Sequence, residues 1–105
     1  MTEHLDRMQG MRVRSCVAEA GALTLDFLSS QIVIHNKWKV LDVVGEPLEY
    51  SILLGAIFLD SVTSDTEIRF EFDRAQLRVD LSDDSWSGPE AAVLYVDGVP
   101  RVIWP

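Results

Sequence analysis

The chain of 105 residues is 48% hydrophobic and carries a formal charge of −8 with a pI near 4.5, which suits one compact domain, residues 1–105, with a modest core. So acidic a balance excludes nucleic acid as the main ligand, because that affinity rests on Lys and Arg neutralising phosphates, and an acidic membrane surface would repel the chain too. The lone cysteine, Cys16, excludes an internal disulfide framework and fits a reducing compartment. No signal-peptide pattern and no apolar run of about 18 residues is present, so the expected address is the cytoplasm.

In chain order, residues 3–9 read as one or two helical turns stopped by Gly10, and residues 11–17 read as a strand. Gly21 marks a turn. Residues 22–28 then alternate, with Leu23, Leu25 and Phe27 on one side, and after a turn at Ser29 and Ser30 the strand 31–36 sets Ile32 and Ile34 against Phe27 and Leu25. Residues 38–44 continue as a strand ended by Gly45. The run from Pro47 to Gly55 has the punctuation of a short connector helix.

Residues 67–81 form the clearest signal in the chain. Ile68, Phe70 and Phe72 alternate with polar neighbours, as do Leu77, Val79 and Leu81. With Arg74 and Ala75 as a two-residue turn, Phe72 faces Leu77 and Phe70 faces Val79. The opposite face then pairs Glu71 with Arg78 and Arg69 with Asp80, each worth roughly 0.2–1 kcal/mol.

Shifting the first half by 45 residues lays Gly10 on Gly55, Val17 on Val62, Leu25 on Phe70, Phe27 on Phe72, Gln31 on Gln76 and Ile34 on Val79. The shared order of helix, glycine, strand and hairpin points to an internal duplication. The expected fold is therefore mainly β, with two related antiparallel β-meanders packed as a sandwich or partly open barrel and one or two short helices. Residues 1–46 form the first repeat, and residues 47–105 the second plus a C-terminal hairpin. That hairpin, residues 91–104 around Asp97-Gly98, has no counterpart in the first half. Its regular register puts Ala91, Val93 and Tyr95 on one face with Pro100, Val102 and Trp104.

The order of strands in residues 55–81, followed by Gly88-Pro89-Glu90-Ala91 and a closing strand ending Val102-Ile103-Trp104, resembles small uncharacterised bacterial proteins of the immunity type. These stand beside polymorphic toxins of the contact-dependent inhibition or Rhs kinds. The resemblance covers residues 53–104 and extends to the first half only as pattern. It implies a non-enzymatic protein that binds and blocks a toxin domain.

The residues themselves offer little catalytic chemistry. His4 and His35 are the histidines, and with Cys16 they are scattered too widely for zinc. Asp80, Asp83 and Asp84 lack the glycine and distal glutamate of a calcium loop. No metal, cofactor or catalytic residue is expected. The charge is lopsided, with 5 basic and 6 acidic residues in 1–46 against 4 and 11 in 47–105, and such a field steers a basic protein partner. Asp83, Asp84, Trp86 and Glu90, in the polar stretch 82–90, are the expected contacts. One alternative is a structural homodimer formed through Val93, Tyr95, Val102 and Trp104. A second is a small hydrolase using a carboxylate pair, for which 17 acidic residues guarantee candidates and decide nothing.

Overall fold

A computed structural model of the chain describes residues 8–81 and 91–104. It holds ten strands: β1 (Ser15–Glu19), β2 (Ala22–Asp26), β3 (Ser30–Ile34), β4 (Trp38–Leu41), β5 (Pro47–Leu48), β6 (Phe58–Thr63), β7 (Glu67–Phe72), β8 (Gln76–Asp80), β9 (Ala92–Val96) and β10 (Val99–Trp104). The connector after β5 is a single 3-10 turn, Tyr50–Leu53. The helical turns expected over residues 3–9 lie outside the described residues except at their end, where Met8 is helical and Gly10 takes a φ of +86°.

The strands form two five-stranded antiparallel sheets, ordered β1-β2-β3-β9-β10 and β5-β4-β8-β7-β6. Their inner faces share one core in which Leu23, Leu25, Ile32 and Ile34 of the first sheet meet Phe58, Ile68, Phe70 and Leu77 of the second, all fully buried. Each meander thus builds three strands of one sheet and sends its following hairpin across to complete the other. β4 pairs with β8, and β9 pairs with β3.

The duplication is written into the hydrogen bonds. Gly10 N donates to Phe58 O at 2.8 Å, and Gly55 N donates to Val13 O at 2.9 Å. Val13 N donates to Ala56 O, and Phe58 N donates to Met11 O. Moving either partner by 45 residues converts one bond of each pair into the other with the repeats exchanged, which is the signature of a two-fold axis. Arg12 and Ile57, themselves 45 apart, pair with one another across it.

The crossing hairpins match as well, at a larger offset. Trp38 faces Val79 and Val40 faces Leu77, while Ala92 faces Ile34 and Leu94 faces Ile32. So β4 corresponds to β9 at an offset of 54, which corrects the expectation that the C-terminal hairpin is without counterpart.

Both central hairpins turn one residue earlier than expected, which slips each cross-strand register by two. Phe72 N bonds to Ala75 O around Asp73 and Arg74, and Phe27 N bonds to Ser30 O around Leu28 and Ser29. Ile68 therefore faces Val79 and Phe70 faces Leu77, while Arg69 faces Arg78 and Glu67 faces Asp80. An alternating pattern fixes which face is buried but is unchanged by a slip of two. Tertiary contacts choose between the registers: Asp73 donates its backbone N–H to Ile57 O and accepts Ile57 N on Oδ1, while Arg74 donates to Leu54 O and Gly55 O. The predicted charge pairs become diagonal neighbours, and Arg69 instead sits 3.3 Å from Glu71 on its own strand.

Candidate functional site

Asp83, Asp84, Trp86 and Glu90 lie outside the described residues. Their place in the chain is nevertheless informative. The first repeat passes from β3 to β4 through His35, Asn36 and Lys37 alone, whereas the second takes the eleven residues 81–91 from β8 to β9. The fold therefore needs only a three-residue crossing, and the surplus is the stretch that carries the four expected contacts. Surplus length that closes no structural gap is where binding residues concentrate.

The face proposed for self-association does not exist as one patch. A β-bulge at Arg101 moves Val102 opposite Leu94 and Trp104 opposite Ala92. Val102 and Trp104 therefore turn into the core. Trp104 packs edge-on against Phe70 at 5.5 Å and donates its indole N–H to Thr63 Oγ1 at 3.3 Å. Val93 and Tyr95 stay on the outer face, with Val93 itself buried and Tyr95 half-buried. An alternating reading cannot foresee the extra residue that reverses a strand's faces.

Cys16 is half-buried on β1, with its thiol 3.5 Å from Tyr50 O. Burial pushes that thiol up to about 11. It is therefore protonated at neutral pH, and a thiol is nucleophilic only as thiolate. His35 is half-buried and donates its backbone N–H to Ala91 O. No helix among the described residues is long and apolar enough to cross a membrane.

A second feature escaped the sequence reading. Between Lys39 and Arg69 there is no Lys or Arg, but there are six carboxylates: Asp42, Glu46, Glu49, Asp60, Asp65 and Glu67. The same stretch holds six of the ten most exposed large apolar side chains among the described residues. Val43 and Val44 are the barest, at 87% and 77%. They sit at the tip of a loop closed by Asp42, whose Oδ1 accepts the backbone N–H groups of Val44 and Glu46, both at 2.9 Å. Gly45, at a φ of +91°, closes the loop by donating to Asp42 O. Exposed Glu46, Pro47 and Glu49 follow directly. The result is an ordered apolar tip with an acidic rim. The signal was legible as a 29-residue gap between cations that no segment reading sums over.

No family model matches the chain, and no match is found among curated proteins or solved structures.

Proposed function

We propose that the protein is a non-catalytic binding module of the immunity type, which occludes a basic protein domain. The observation that carries this reading is the internal comparison of crossings: the same topological step is made with three residues in one repeat and eleven in the other. Asp83, Asp84 and Glu90 supply charge there, and Trp86 is the residue type that anchors interface centres. The Val43–Val44 tip with Asp42, Glu46 and Glu49 offers a second contact of the same kind, with apolar side chains inside an acidic rim. Acidic contacts on a basic target raise the association rate and make it sensitive to salt.

The test is to delete residues 82–90, which joins Leu81 to Ala91 and leaves three residues between Val79 and Ala92, as between their counterparts Ile34 and Trp38. Binding to a basic toxin domain encoded beside the protein is measured by calorimetry at low and high salt, with circular dichroism as the check on folding. The full chain is expected to bind, more weakly at high salt, and the folded deletion variant to lose at least tenfold in affinity. Equal binding by the folded deletion variant refutes the assignment of the contacts, and salt-independent binding refutes their electrostatic role.

A further inference from the structure

The outer face of the second sheet carries three cations in a line across three strands: Lys39 on β4 directly faces Arg78 on β8, which directly faces Arg69 on β7. Like charges directly opposed on a ladder are destabilising. The other repeat shows that the fold does not need them. At the corresponding positions of the first sheet stand Val93, Val33 and Thr24, paired in the same register.

These three cations and the neighbouring Lys37 differ in what they touch. Arg69 is engaged by Glu71 at 3.3 Å. Among the described residues, the side-chain partner of Arg78 is the neutral amide of Gln76, at 3.2 and 3.4 Å. Lys37 and Lys39 are exposed and form no ion pair among the described residues. Lys37, Lys39 and Arg78 line a groove of about 210 Å³ together with Thr66, Glu67 and Asp80. That is more room than a single water needs.

We propose that this groove binds a small phosphate monoester, with the phosphate dianion on Lys37, Lys39 and the Arg78 guanidinium and a ligand hydroxyl on Thr66 or the Glu67 carboxylate. A guanidinium and two ammonium groups suit a tetrahedral dianion through charge-assisted hydrogen bonds. A cluster of three cations on a chain of charge −8 is too small for a nucleic-acid backbone. This proposal does not depend on the acidic contacts above.

The experiment is a titration of the full-length protein with glycerol 3-phosphate and with inorganic phosphate, each against sodium chloride at matched ionic strength, read by thermal shift and by backbone amide NMR. The expected result is a saturable rise in Tm with either phosphate, tighter for glycerol 3-phosphate, with amide shifts concentrated on β4 and β8. Equal affinity for the two probes would assign the groove to free phosphate and overturn the monoester. The double variant Lys39→Thr/Arg78→Val should weaken binding at least tenfold while its Tm without ligand stays level or rises, and Arg101→Gln, a cation on β10, should bind as the parent does. A response no greater than that to chloride, or one that survives in the double variant, overturns the site. So does a lower Tm of that variant without ligand, because the row would then be structural.

Discussion

The inner faces of the two sheets are nearly interchangeable and their outer faces are not. Inside, Leu25 stands for Phe70, Ile32 for Leu77, Ile34 for Val79 and Val40 for Leu94, all buried. Outside, the line Val17, Thr24, Val33, Val93 on one sheet corresponds to Val62, Arg69, Arg78, Lys39 on the other. A duplicated architecture thus supplies its own control. What both copies keep is what the fold requires, and what only one copy carries is free to serve binding.

The largest effect should come from breaking the shared part. Phe70→Ala should cost about 3–5 kcal/mol and its counterpart Leu25→Ala about 2–5 kcal/mol, measured by urea denaturation. Because both side chains lie in one core, each variant should still unfold in a single transition with intrinsic tryptophan fluorescence and far-UV dichroism coincident. Separate transitions would show the sheets to be independent units.

A smaller effect tests the part that differs. Thr24→Arg with Val33→Arg copies the facing arginine pair onto the first sheet and should lower stability by about 0.2–1 kcal/mol. No loss in denaturant midpoint would mean that facing cations are tolerated without cost, and would remove the reason to regard the native row as functional.

The smallest concerns one atom. Cys16 on β1 corresponds to Ser61 on β6, so only the first sheet has a titrating group at that point. Burial raises the thiol from 9.0 to about 11 in the folded chain, so the folded state holds that proton more tightly than the unfolded one. Its contribution is complete below about pH 9 and disappears as pH rises towards 11. The Tm of the parent should therefore fall across that window relative to Cys16→Ser. Parallel curves would place the thiol in water.

How far the sequence reaches can be seen at particular residues. Leu23, Leu25, Ile68 and Phe70 declare their buried face because alternation has a period of two and the core lies on one side only. The duplication was legible for the same reason. Register was not, since Asp73 and Arg74 become the turn through bonds to Ile57, Leu54 and Gly55, some 16–20 residues away. The Arg101 bulge, and with it the inward turn of Trp104, depends on β10 meeting both β9 and the Thr63 end of β6. The kinship of β4 with β9 was hidden by the surplus in residues 82–90, which breaks the constant offset that revealed the rest.

The exchange of hairpins has a consequence for how the chain holds together. Two separate repeats making the same contacts would form a dimer whose stability depends on dilution. Here the short link around the Tyr50–Leu53 turn holds one repeat beside the other at an effective concentration on the order of millimolar. The completed sheets therefore persist at any dilution.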